Sequence, residues 1–341
     1  MEMKKKILLR QMNKVFDNGE DIDNIKIAFT TFIVSVVSGF LLTLMISSLF
    51  HQNSNEYDAD DGYLHKISHT HRDQNTEIAD RLYRNVRILC LVTTFVNHKT
   101  KAKFIKETWG SRCNHIIFLS PKSIDSFETL VMPGAKEGRS YLWHSIREGL
   151  KYVHVKYMNK FDFVIKTDDN TYVVMENLRY LLETESPNEP KAFGFKYKDQ
   201  DVVYLSSVQI LSRETVKRFA LKAYPDESLC RTGEIWDSDI ELGRCLKNIG
   251  VEFGETLDSE GKERVFPFSP RHHMLPETMV KGKNNSYVAK AMRRKDGLGS
   301  LSDYSVSFHS LYEHSQILFE YLIYHLRPYG IIYKYTEENQ Q

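Results

Sequence analysis

The chain has 341 residues, 41% of them hydrophobic, enough to bury a sizeable core as one large domain or two medium ones. Its 46 Lys and Arg nearly balance 45 Asp and Glu. No net field draws it toward nucleic acid, and the charge count alone names no partner.

The first element is a run without a charged residue from Ile27 to Phe50. A helix needs about 20 apolar residues to cross a hydrocarbon core of about 30 Å, so the run is long enough. Lys4, Lys5, Lys6, Arg10, Lys14 and Lys26 precede it. His51 to His65 carry no Lys or Arg but include Glu56, Asp58, Asp60 and Asp61. This bias predicts a single-pass type II protein with a cytosolic N-terminus and a lumenal body. A cleaved signal peptide would have a shorter apolar core near the start, followed by small residues. A helix buried in a soluble protein would show a polar face. The expected divisions are a cytosolic tail over 1–26, a signal anchor over 27–50, a flexible polar stem over 51–85 and a lumenal domain over 86–341.

Within that domain Ile88 to Thr94 reads as a buried parallel strand. A helix is expected over 99–109, a strand over 116–119 and an amphipathic helix over 139–157, where Leu142, Ile146, Leu150, Val153 and Tyr157 share one face. A strand over 161–165 and a helix over 175–183 follow. Such alternation predicts a parallel sheet with helices on both faces. Beyond Pro190 come strands near 192–195 and 202–211, helices over 213–223 and 239–248, and irregular loops over 258–303. A strand over 305–308 and a helix over 311–326 close the chain. Four cysteines in an oxidising lumen suggest two disulfides in one of three connectivities. Sequence proximity favours Cys90–Cys113 and Cys230–Cys245. Asn284-Asn285-Ser286 is an N-glycan acceptor triplet.

The richest stretch for chemistry runs from Asp162 to Tyr172, where an apolar strand ends in Asp168-Asp169-Asn170. Ligands of open α/β sheets bind beyond the carboxyl ends of strands. Oxygen-bearing side chains at i and i+2 point the same way and suit a hard divalent cation held against a diphosphate. A solvated turn would use the same residues. Lys136-Glu137-Gly138-Arg139 stands before a predicted helix, a place for nucleotide contacts. Asp239 opens another helix, where an N-cap is the ordinary role. His309 follows the last strand.

Together these stretches resemble the core 1 β1,3-galactosyltransferases, members of the β1,3-glycosyltransferase superfamily. The resemblance runs from about Arg87 to Tyr333. It is carried by Arg87 to Cys90, Glu107-Thr108-Trp109, Lys136 to Arg139, Lys166 to Val173, Leu242 to Cys245, Ser305 to His309 and Tyr321 to Gly330. It implies a GT-A-like (Rossmann-like) mixed α/β sheet with flanking helices in the Golgi lumen. The implied reaction is inverting transfer of galactose from UDP-galactose to the 3-hydroxyl of O-linked N-acetylgalactosamine on glycoproteins. By resemblance Asp168, Asn170 and His309 hold Mn²⁺, while Lys136, Glu137, Gly138, Arg139, Lys166 and Asp168 lie near UDP. Asp239 is then the general base. Both disulfides match the family as well, and the second would close a loop around Asp239, worth about 3 kcal/mol in the chain-entropy model. The implied partners are the UDP-sugar, O-glycan acceptors, the membrane and a second or related transferase chain, with no nucleic acid.

This sequence departs from the family pattern near those residues. Asn170 stands where active relatives carry an acid, and Ser238 where an acid flanks the base. Tyr204 to Gln209 replace a longer glycine-rich loop, and Ser300-Leu301 replace paired cysteines. These departures suit an alternative, a catalytically silent relative that acts as chaperone or partner of an active transferase.

Overall fold

The computed structural model describes residues 6, 19–52, 75–124, 127–131, 138–199, 202–275, 291 and 297–331. The chain divides into two units, residues 1–68 and 69–341. In the first, Gly19–Gln52 form one helix, α1, which contains the whole uncharged run. Phe29, Phe32, Val34, Val37, Phe40 and Leu42 are exposed around it. Thr30, Thr31, Ser35, Ser38 and Thr43 all return their hydroxyls to carbonyls of the preceding turn, at 2.7–3.1 Å. Among the described residues no helix is long and apolar enough to cross a membrane.

The second unit begins earlier than the sequence suggests. Glu77–Asn85, assigned above to the stem, form a helix, α2. It buries Leu82, pairs Arg81 with Glu183 at 2.8 Å and accepts the Asn114 amide on the Tyr83 carbonyl at 3.1 Å. Ile78, Ala79, Leu82 and Tyr83 fall on one helical face of a short, charge-rich segment, and one buried leucine and two tethers fix the helix to the domain.

The main sheet grows from β1, Ile88–Thr93, buried at every position. Next come α3 (Lys99–Glu107), β2 (His115–Ser120), β3 (Thr129–Val131), α4 (Leu142–Tyr157), β4 (Phe163–Asp168), β5 (Tyr172–Val173) and α5 (Met175–Leu182). The second half adds β6 (Lys191–Asp199), β7 (Val202–Ser212), α6 (Arg213–Arg218), α7 (Ser238–Asn248), β8 (Glu252–Phe253), β9 (Val265–Phe266), α8 (Pro270–Met274), β10 (Ser307–Phe308) and α9 (Ser315–Glu320). The strand order is β3-β2-β1-β4-β7-β6-β8, and β5-β10-β9 form a smaller sheet. The strands β1 to β4 pair in parallel, whereas β7 is antiparallel to both β4 and β6. The sheet is therefore mixed.

Alternate residues of β1 feed two cores. Ile88, Cys90 and Val92 pack with Ala102 and Ile105 of α3 and Leu178 of α5. Leu89 and Leu91 pack with Ile146 and Leu150 of α4 and Leu242 of α7. Helices thus cover both faces, as a strand apolar on both sides demands. Both expected disulfides form, Cys90–Cys113 and Cys230–Cys245. The strand expected over 202–211 forms as β7, and Tyr204 to Gln209, which replace the family's longer loop, lie inside it. There Ser207 takes φ 72°, and the pairing with β6 shifts between Phe193 and Phe195. A Cβ on Gly194 would meet the Val208 carbonyl at 2.7 Å, so this bulge requires glycine. Asn284 lies outside the described residues.

Asp162 ties the starts of β1 and β4 together. Its carboxylate accepts from the Arg87 backbone N–H at 2.9 Å, from the Arg87 guanidinium at 2.9 and 3.0 Å, and from Arg213 at 3.3 Å. Burial alone would raise its pKa, but the bonds from Arg87 outweigh it and hold the group below 3.8. A depressed folded value stabilises the protein above the unfolded pKa, and that contribution fades as pH falls through the folded one. Asp162→Asn should therefore cost about 2 kcal/mol at pH 7. Urea melts of both proteins should show the difference shrinking below pH 3.8; a constant difference down to acid pH would contradict the charge-based account.

Candidate active site

The carboxyl ends of β1 and β4 stop level with one another, Thr93 beside Asp168. Beyond them opens a cleft of about 570 Å³ lined by Arg139, Asp168, Asn170, Asp239 and His309. Four aromatic side chains, Phe95, Tyr197, Tyr204 and Phe268, form part of its wall. Five polar residues from well-separated segments meet where a doubly covered sheet is expected to hold ligand.

The three residues after Thr167 turn to different tasks. Asp168 ends β4 with a side chain 36% exposed. Its Oδ1 accepts the Thr93 hydroxyl and lies 3.5 Å from the Lys166 ammonium. Asp169 is buried and faces away, accepting Thr94 Oγ1 at 2.7 Å and meeting His98 Nδ1 at 2.7 Å and Lys101 at 3.7 Å. It fastens the segment after β1, which carries Phe95 to the cleft. Asn170 returns to the cleft, and its Oδ1 is buried without a hydrogen-bond partner. A buried carbonyl oxygen left unpaired costs about 1–3 kcal/mol, and a cation is one partner that removes that cost.

His309 follows β10, which the smaller sheet aligns with β5. Its Nδ1 shares a hydrogen bond of 2.7 Å with Thr171 Oγ1, so Nε2 is the nitrogen left to coordinate. Burial lowers its pKa and outweighs the opposing pull of Asp168 and Asp239, which favours the neutral, ligating imidazole. Among the described residues no three His, Cys, Asp or Glu side chains gather as a metal-holding group. The set present is a carboxylate, a carboxamide and an imidazole, and the unpaired Asn170 oxygen suits a hard cation completed by phosphate oxygens.

Asp239 stands in the first turn of α7. Its Oδ1 accepts Lys166 Nζ at 3.3 Å and Gln209 Nε2 at 3.1 Å. Helix α7 lies close on β7 because residue 243 is glycine: a Cβ there would meet Val203 O and Tyr204 Cβ at 2.7 Å. The Cys230–Cys245 bridge encloses the segment with Asp239. Buried Glu241 binds Arg231 at 2.5 Å and also Arg244, and the Arg231 carbonyl accepts Trp143 Nε1 at 2.8 Å.

Of the residues singled out from sequence, Arg139, Asp168, Asn170, Asp239 and His309 meet in the cleft. Gly138 takes φ 130° just before Arg139, which itself lies 3.7 Å from Asp237. Lys136 and Glu137 lie outside the described residues. Lys166, a residue only 3% exposed, is absent from the cleft wall, and its ammonium pairs with Asp168 and Asp239 instead. Gln209, Thr171 and Thr93 were missed. Gln209 had left a signal, a polar residue among Val208, Ile210 and Leu211 in a buried strand. The two threonines left none.

No family model matches the chain. It is 30% identical over 324 residues to glycoprotein-N-acetylgalactosamine 3-beta-galactosyltransferase 1 of Xenopus laevis, covering 91% of this chain and 88% of that one. A beta-1,3-glucosyltransferase of Mus musculus shares 22% identity over 193 residues, 54% of this chain and 38% of its own. A solved glycosyltransferase involved in glycosylating the major capsid of PBCV-1 overlaps 41% of this chain and 66% of its own, at 12% identity and a TM-score of 0.30. On the first likeness the chain belongs, as a divergent member, to the core 1 β1,3-galactosyltransferase family.

Proposed function

We propose that the chain is an inverting, GT-A-like glycosyltransferase that moves galactose from UDP-galactose to the 3-hydroxyl of O-linked N-acetylgalactosamine. The observation that carries this reading is the meeting of Arg139, Asp168, Asn170, Asp239 and His309 on one cleft. Asp168, Asn170 and His309 would hold Mn²⁺. When bound, the ion neutralises charge on the departing diphosphate. Arg139 adds a second cationic group to the same wall. Asp239 keeps Oδ1 on Lys166 and Gln209, so Oδ2 is the oxygen that takes the acceptor hydroxyl proton. The hydroxyl oxygen then bonds to the anomeric carbon as the bond to UDP breaks on the opposite side. The aromatic walls would exclude water and stack against sugar.

The topology belongs to the same reading. The uncharged run lies wholly in α1, and its described hydroxyls are satisfied within the helix, as hydrocarbon requires. With the flanking Lys/Arg bias, this supports a type II anchor that holds the body in the Golgi lumen. Asn170 supports the second reading, a silent partner of an active transferase, because a carboxamide lacks a carboxylate's charge for a hard cation.

In saturating Mn²⁺, calorimetry on the full-length chain in detergent should detect UDP, with binding abolished by EDTA. Asn170→Asp should tighten it and raise transfer. No UDP binding at millimolar concentration, in wild type and Asn170→Asp alike, leaves the silent-partner reading standing. Asp239→Asn should lower transfer about 10²–10⁴-fold while UDP affinity in saturating Mn²⁺ stays within about twofold. Equal losses of both would mean that Asp239 serves binding. In sealed microsomes the C-terminal part should resist protease until detergent is added, and digestion without detergent would refute the topology.

A further inference from the structure

Lys166 is the most deeply buried cation at the site, and it meets no substrate-facing surface. Its position follows from the strand: residues 166 and 168 share one face of β4, which sets the ammonium beside Asp168 at 3.5 Å. The first turn of α7 brings Asp239 to the same ammonium at 3.3 Å. Asp169 does not compete, because it is engaged by Thr94, His98 and Lys101. The buried ammonium therefore has a carboxylate on each side, Asp168 and Asp239.

The charge count has a consequence for the cation. Asp168 is the only carboxylate among Asp168, Asn170 and His309, and it already faces a fixed positive charge. A divalent ion approaching Asp168 alone meets repulsion from Lys166 in a poorly screened setting. A nucleoside diphosphate changes that balance by bringing its own negative charge and oxygen ligands. We propose that Lys166 is the resident counter-ion of the site, holding Asp168 and Asp239 together while the cleft is empty and suppressing uptake of a divalent cation until a nucleoside diphosphate arrives with it. The inference rests on the transferase reading. It departs from the nucleotide-contact role that resemblance implies for this lysine, and it makes metal loading depend on nucleotide.

The test is Mn²⁺ binding to the full-length chain in detergent, followed by loss of the free-ion paramagnetic resonance signal, with and without UDP. Wild type should bind weakly alone and much more tightly with UDP. Lys166→Gln keeps a hydrogen-bond donor but removes the charge; it should bind Mn²⁺ without UDP at least about tenfold more tightly, and gain less from UDP. Lys166→Arg keeps the charge and should behave as wild type. A merely structural lysine would give the opposite sign, since a loosened site binds metal less well. If Lys166→Gln fails to fold, Lys166→Met, which fills the same space without the charge, should likewise bind Mn²⁺ alone more tightly than wild type. Folded variants without the charge that bind Mn²⁺ no more tightly than wild type, while wild type still binds UDP with Mn²⁺, overturn the counter-ion alone. Absence of UDP-dependent Mn²⁺ binding in wild type overturns the transferase reading with it.

Discussion

A lysine shut away from water needs acids beside it, and two acids brought close need a cation; Lys166, Asp168 and Asp239 satisfy one another. Removing any one of the three would leave a buried or half-buried charge uncompensated, a change that costs several kcal/mol in other proteins. The triplet therefore constrains the molecule around it. Asp168 is fixed by the β1–β4 register, Lys166 by the same strand two residues earlier, and Asp239 by a helix that must approach β7. That approach depends on Gly243, where any side chain would strike Val203 and Tyr204.

The same logic explains why the polar residues of the two central strands gather at one end. The starts of β1 and β4 are locked by Arg87 and Asp162, so register errors are penalised far from the cleft. The ends are then free to carry Thr93, Asp168 and the turn to Asn170. Asp169 acts as an inward bolt: its bonds to Thr94 and His98 hold the segment after β1 against the turn after β4. On the far side Gln316 accepts Trp109 Nε1 at 3.1 Å and donates to the Thr171 carbonyl at 3.1 Å. Thr171 holds His309, so α9 braces the imidazole through a chain of buried bonds.

Much of this was legible in the sequence. The continuous apolar runs named the central strands, the helical spacing named α4, and the acids at a strand end named the cleft. What escaped had physical reasons. The apolar signal of β4 stops at Ile165 although the strand continues to Asp168, because its last residues pair with the site and with each other rather than with a core. The apolar face of α2, Ile78, Ala79, Leu82 and Tyr83, sits in a nine-residue segment whose charges make it read as stem. The role of Lys166 could not be read because a lysine near a cleft suggests phosphate, and only the fold shows its ammonium turned toward two carboxylates. The final helix, expected over 311–326, is α9 followed by a π-type turn over Tyr321–His325, a change of winding that residue spacing does not reveal.

Asn170 bears on both functional readings through one quantity, the net charge offered to a cation. With a third acid in its place, the site would hold enough negative charge to bind a divalent ion despite Lys166. With a carboxamide, Asp168 is left to face the lysine alone, and a bare ion has little to gain. The departure from the family pattern therefore weakens the empty site more than the loaded one, because a diphosphate restores the missing charge whereas nothing in the empty cleft does. A site emptied of function would have no reason to keep that balance. Here Lys166 remains paired, Asn170 still presents a buried unpaired oxygen, and Thr171 still holds His309 by Nδ1. Those retained contacts weigh toward a transferase whose cation arrives with its nucleotide.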